Sequence, residues 1–181
     1  EKKGQIVAFH GYQSFKENEV TARQAHNIGV ELAKRLWQDN IRECKILATM
    51  VMPADVMLSE VADIWMEQMP SLEIAELSSF NLFQHLPYAN VKAFEWIATD
   101  KQLYQICGFH VLSRLFQKGY MPENRDVNEY IDQLQVAISS GNSIVAKAAV
   151  QSAMRFADIN DDCEIVVKNA LKQLNLELFN Q

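Results

Sequence analysis

The stretch KQLYQICGFHVLSRLFQKGYMPENRDVNEYIDQLQVAIS, residues 101–139, decides the fold class. Its apolar residues return every three to four positions on both sides of a joint made by Gly119 and Pro122, and they never alternate one by one as in a half-buried strand. The stretch therefore predicts two amphipathic helices, 101–118 and 123–139, joined as a hairpin.

The same grammar holds outward in both directions. Asn40 before Ile41, Pro53, Pro70-Ser71, Pro87, Asp100, Gly141-Asn142 and Asn160-Asp161 punctuate the chain with helix start and stop signals. Between them the pattern predicts helices near 20–38, 41–52, 54–69, 71–86, 90–99, 142–157 and 161–175. Taken in pairs, the second helices begin near 41, 71, 101 and 142, a loose period of about 30 to 40 residues. A hairpin of this kind buries its apolar face only against its neighbours. The layout thus predicts one all-α domain over residues 1–181, built as a right-handed solenoid of HEAT-like helical repeats. A generic helical bundle is the competing reading of the same layout.

The 181 residues are 49% hydrophobic and 22% charged, with 6 Gly and 4 Pro, which is globular usage tilted towards helix formers. A chain this long buries roughly 70% of its unfolded surface and needs no staple. Cys44, Cys107 and Cys163 are odd in number and lie far apart inside apolar helical patterns, so they read as reduced, buried thiols and not as a disulfide frame or a zinc site. No run approaches the ~20 apolar residues of a membrane span. The N-terminal residues lack the charged-then-apolar layout of a secretion signal, and together these features predict a cytoplasmic protein that engages no membrane, metal or cofactor. The chain starts at Glu1 and not at methionine, which leaves room for upstream sequence.

A formal net charge of -6 argues at first sight against phosphate ligands, but its distribution matters more. Residues 54–100 hold Asp55, Glu60, Asp63, Glu67, Glu73, Glu76, Glu95 and Asp100 against Lys92 alone, so the other 16 basic residues lie in the flanks. Residues placed 100° apart on helical wheels give each second helix a polar stripe. The stripes are Arg42, Lys45 and Thr49; Cys107, His110, Arg114 and Lys118; and Lys147, Gln151 and Arg155. Lining a concave face, they would make a groove of positive potential able to follow a phosphate backbone. As the faces of ordinary surface helices, they would simply be solvated.

Helix 71–86 breaks this pattern. Its wheel sets Glu76 between Leu72, Phe80 and Phe83, with Ser78, Asn81 and His85 on the far side. A carboxylate in an apolar arc is a candidate general base or electrostatic stabiliser, and equally a candidate for an ion pair with a neighbouring helix. Glu43, beside Leu47 and Met50, reads as an ion pair or cap. His85 and His110 have no second ligand at metal spacing and read as polar-face residues. Trp37, Trp65 and Trp96 fall on apolar positions and read as core. Phosphate loops, nucleophile elbows and zinc signatures are all missing.

Leu36-Trp37, then Arg42-Glu43, then Leu47-Ala48 carry an LW…E…LA pattern over two successive helices, and this resembles the DNA alkylation repair protein family. The resemblance continues through the helix after Pro70, the stretch Trp96 to Phe116 and the segment Val145 to Arg155, so it covers roughly residues 36–156. The segment Asn81-Leu82-Phe83-Gln84-His85-Leu86-Pro87-Tyr88 is similar to a compact bacterial branch of that family. The resemblance implies HEAT-like repeats wrapped on duplex DNA and, in active members, a DNA glycosylase that removes cationic N3- or N7-alkylated purines while the lesion stays in the stack. A tryptophan face and a carboxylate suit such a lesion through cation–π attraction and stabilisation of an oxocarbenium-like sugar.

Carried over position by position, the family's Trp-Asp-x-x-Asp stretch falls on Leu72, Glu73, Ile74, Ala75 and Glu76, which keeps a carboxylate and loses the aromatic. The family's phosphate-binding arginine falls on Cys107, with Arg114 two turns later on the same stripe. Its second cleft tryptophan falls on Gln151 or Ser152, and Arg155 matches an arginine of that motif. The sequence thus nominates Glu76 for chemistry, and Arg42, Lys45, Arg114, Lys147 and Arg155 for phosphate contacts on duplex DNA. The alternative is a non-catalytic HEAT-like scaffold that binds a protein or peptide on its concave face.

Overall fold

The computed structural model describes residue 21 and residues 23–174; residues 20 and 22 of the first expected helix and the last position of the helix expected to end at 175 lie outside the described residues. The chain divides into two compact units, Glu1–Met57 and Leu58–Gln181. Both are helical, and no strand occurs among the described residues.

In the first unit α1 (23–38) and α2 (Arg42–Val51) are followed by a 3-10 turn, Ala54–Val56. Gly29 of α1 lets the two segments approach, since a Cβ there would stand 3.2 Å from both the Val51 carbonyl and Pro53. Ala33, Trp37, Ala48 and Met52 are buried. The helix expected over 54–69 is shorter at its start. Pro53 opens only the single 3-10 turn, and the chain runs extended through Met57 and Leu58 before the next helix begins.

The second unit comprises α3 (Ser59–Glu67), α4 (Leu72–Asn81), a 3-10 turn at Phe83–His85, α5 (Ala89–Ile97), α6 (Gln102–Gln117), α7 (Asn124–Ser139), α8 (Ser143–Ala157) and α9 (Asp161–Gln173). The expected joints work as caps. The side chains of Ser71, Asn142 and Asn160 accept from the backbone N–H groups of Ile74, of Ile144 and Val145, and of Cys163, which satisfies donors a helix start leaves orphaned. Gly119, with φ +84°, ends α6. Its N–H donates to Phe116 O (2.8 Å) and that of Tyr120 to Leu115 O (3.0 Å), a Schellman pattern that needs the left-handed residue glycine supplies.

α6 lies between α4 and α8, while α5 packs on α6 and α7 and α9 pack on α8. Two layers result, with α4, α6 and α8 side by side and α5, α7 and α9 behind them. The tightest approach is at Gly108. A Cβ there would sit 2.6 Å from Ile97 Cγ2 and 2.8 Å from the Ala93 carbonyl, so hydrogen at this position lets α6 rest directly on α5. Phe116, Tyr130 and Phe156 close the α6–α7–α8 junction with ring centroids 5.0 to 5.3 Å apart, and the Tyr130 hydroxyl donates to Ser152 Oγ (3.0 Å). Trp37, Trp65 and Trp96 are 2–3% exposed, as the apolar pattern predicts. Lys92, 8% exposed, ties α5 to α3 through Asp63 (2.9 Å) while also pairing with Glu95 (2.8 Å). The one cation of the acidic stretch is therefore a structural tie.

Helix 71–86 divides at Leu82, where φ -129° and ψ -60° leave the helical region. Leu82 and Phe83 are thereby buried at 0–1% exposure, and Phe83 meets Trp96 edge-on with centroids 5.0 Å apart. The wheel of α4 itself is also turned over. The buried face of α4 is Ile74, Ala75, Ser78 and Ser79, whereas Phe80 is 51% exposed.

Candidate nucleic-acid interface

The front layer of the second unit carries the candidate site. Three open hollows of 410 to 450 Å³ adjoin along α4, α6 and α8, and His110 lines all of them. Glu76, Phe80 and Arg114 line the first; Arg114, Gln151 and Arg155 the second; Leu72, Glu76, Lys147 and Gln151 the third. Four of the six nominated residues, Glu76, Arg114, Lys147 and Arg155, therefore share one face.

Glu76 is not desolvated as its wheel suggested. Its side chain is 51% exposed, because serines and small residues take the buried side of α4. A carboxylate oxygen stands 3.8 Å from His110 Nε2, beyond direct hydrogen bonding but close enough for the charges to interact. The imidazole is only 25% exposed. Burial pushes its pKa below the usual 6.5; Glu76 pulls it back up and Arg114 lowers it further, so it is mostly neutral near pH 7.

Around this pair the three cations differ. Arg114 lays its guanidinium over Phe80, 4.7 Å from the ring centre, and donates to Gln117 (3.3 Å). Arg155 pairs with Asp158 at 3.2 Å, with both side chains at least half exposed, so an arriving phosphate has to compete with Asp158 for it. Lys147 is exposed and has no ion-pair partner among the described residues. Glu73, Glu76 and Asp158 balance these charges one for one, which makes the face mixed in sign and not a basic trough.

Other expectations fell elsewhere. Lys45 is turned inward: 8% exposed, it donates to the Trp37 carbonyl (2.6 Å) with its Nζ over the Trp37 ring, so its charge holds the α1–α2 hairpin and is not offered to phosphate. The wheel of α2 is inverted like that of α4, with Leu47 and Met50 exposed and Lys45, Ala48 and Thr49 buried. Arg42 lies in the first unit, half exposed and paired with Glu43 at 3.0 Å. Cys107 is fully buried, its thiol directed to the Ala75 carbonyl (3.4 Å) and its pKa pushed up to about 12, chiefly by burial. Ser152 is likewise buried against Tyr130, which leaves Gln151 as the position that faces the hollow. No group of three or more His, Cys, Asp or Glu able to hold a metal ion occurs among the described residues.

Sequence reasoning passed over His110 as an ordinary polar-face residue. The available signal was its register: it stands one turn before Arg114 and one after Ile106, at the middle of the central front helix. No family model, curated protein or solved structure matches the chain. No helix among the described residues is long and apolar enough to cross a membrane.

Proposed function

We propose that the chain is a helical-repeat, HEAT-like solenoid of the DNA alkylation repair type, and that its α4–α6–α8 face binds duplex DNA. One observation carries this reading. Leu72, Glu76 and Gln151, onto which the resemblance carries the lesion-contacting positions, line a single hollow together with Lys147, and Arg114 and Arg155 flank it on the neighbouring surface. Lys147, Arg114 and Arg155 are the phosphate contacts, and Arg42 is a separate contact on the first unit. Glu76, half exposed beside a neutral imidazole, faces the cationic purine and favours it over an uncharged one.

The residue types support binding more strongly than excision. Leucine and glutamine in the aromatic positions forgo cation–π attraction worth about 1–2 kcal/mol each in a desolvated cleft. Excision therefore runs slowly, with Glu76 stabilising the positive sugar of the departing base. The apolar surface of Phe80, Ile144 and Met154, each 41–52% exposed on the same face, favours the second reading, a scaffold for an amphipathic peptide.

Salt dependence separates the two readings. The three phosphate contacts of this face give a slope of about -2.7 in log affinity against log salt, so raising salt from about 50 to about 200 mM weakens their contribution to duplex binding by roughly 40-fold. A duplex bearing 7-methylguanine binds more tightly than its unmodified counterpart, and Glu76→Gln abolishes the difference. Absence of duplex binding at low salt would defeat the DNA reading and leave the peptide scaffold.

A further inference from the structure

His110 is the one side chain common to all three hollows of the front face, and no role given so far uses it. Its surroundings are electrically divided. Glu76 and Glu73 approach from α4; Lys147, Arg155 and Asp158 from α8; Arg114 from the next turn of its own helix. α5 packs on the opposite, Gly108 side of α6 and lines none of the hollows. The imidazole is thus three-quarters buried, 3.8 Å from one carboxylate, at the point where a backbone running from Arg114 to Lys147 would cross the face.

We propose that His110 is a proton-linked contact of this face, taking up a proton as a phosphate arrives and so making nucleic-acid binding tighten as pH falls. The inference rests on the DNA-binding reading above. In the free protein burial and Arg114 outweigh Glu76 and keep the ring neutral near pH 7. A phosphodiester placed between His110 and the flanking cations adds a second negative charge beside the ring and offsets Arg114, so the pKa rises on binding. The sign follows from linkage. The bound state holds the proton more tightly than the free state, so affinity is lowest above the bound-state pKa, grows as pH falls through it, and levels off below the free-state pKa. Between the two values it changes by at most about tenfold per pH unit.

The test is fluorescence anisotropy with a short duplex at one fixed moderate salt concentration, from about pH 7.5 to about pH 5.5, with the wild-type chain, His110→Gln, Glu76→Gln and, as a control, His85→Gln, whose ring is exposed in the 3-10 turn after α4. Circular dichroism establishes that each variant is folded at every pH used. Wild type and His85→Gln tighten about three- to tenfold over this range; His110→Gln has a flat profile. A ¹H–¹³C titration of the imidazole resonances gives a His110 pKa below the ordinary value in the free protein and a higher one with duplex bound. Equal tightening in His110→Gln, or an unmoved His110 pKa in the complex, overturns the proposal while leaving DNA binding intact. Failure of all proteins to bind duplex at any pH overturns both readings together.

Discussion

Gly108→Ala adds one methyl group where α6 rests on α5, and its effect follows from three distances. The new Cβ would stand 2.6 Å from Ile97 Cγ2, 2.8 Å from the Ala93 carbonyl oxygen and 3.0 Å from the Ile97 nitrogen. Only the first of these neighbours is a side-chain tip that can turn away. The other two are backbone, so the helices themselves must part by several tenths of an ångström. Overpacking of this kind costs about 1–3 kcal/mol, and because backbone is involved the upper part of that range applies. Against it, alanine gains about 1 kcal/mol over glycine inside a helix. The net loss is about 1–2 kcal/mol, or a fall in Tm of about 2–8 °C for a chain of this size. Urea unfolding followed at 222 nm measures it. Adding Ile97→Ala to Gly108→Ala does not restore the lost increment, since the carbonyl contact remains. A Gly108→Ala protein as stable as wild type, or more so, would refute the reasoning, because it would mean that α5 and α6 do not meet at this residue.

Three further outcomes follow from buried groups. Lys45→Met keeps the stem over Trp37 but leaves the Trp37 carbonyl without its charged donor; it lowers stability by about 1–2 kcal/mol in chemical denaturation and leaves duplex affinity unchanged. Tyr130→Phe removes the donor to Ser152 and costs about 1 kcal/mol near neutral pH. Burial raises the Tyr130 pKa, so the native tyrosine supports the fold fully below about pH 10 and loses that support as pH rises towards its folded value; the gap between wild type and Tyr130→Phe therefore narrows in alkaline unfolding curves. With Ellman's reagent Cys44, partly exposed, reacts first, whereas Cys107 and Cys163, both buried with raised pKa values, react only as the protein unfolds.

The helices were legible because their punctuation is local. Ser71, Asn142 and Asn160 act through their own side chains on N–H groups two or three residues ahead, and Gly119 through its own φ, so no distant contact is needed to place these ends. The orientation of α2 and α4 was not legible for the opposite reason. On both, large apolar residues and small or polar ones compete for the inside, and the sequence pattern awards it to Leu47, Met50 and Phe80. The folded chain awards it to Ala48 and Thr49 on α2, and to Ala75, Ser78 and Ser79 on α4. On α4 close helix packing explains the choice. Cys107 of α6 reaches the Ala75 carbonyl at 3.4 Å, an approach that a phenylalanine or leucine on that side would block. Ser79 satisfies its own hydroxyl against that carbonyl, at 2.8 Å. Small residues turned inward push large ones outward, and the position of Glu76 follows from that exchange.

The same exchange explains the mixed character of the front face. A face built from displaced core-like residues is neither a solvated charged surface nor a basic trough: Phe80 lies under Arg114, and Glu76 stands beside His110. Arg155 has Asp158 as a local competitor, whereas Lys147 has no ion-pair partner among the described residues. Lys147→Ala should therefore lower duplex affinity at low salt by more than Arg155→Ala does, because Arg155 must first give up Asp158. It should also reduce the salt slope by about one. Equal losses from the two substitutions would mean that the Arg155–Asp158 pair offers no resistance to an arriving phosphate. A larger loss at Arg155 would move the centre of the binding face from the Glu76 hollow towards the C-terminal end of α8, and Glu76 would then have no part in the contact.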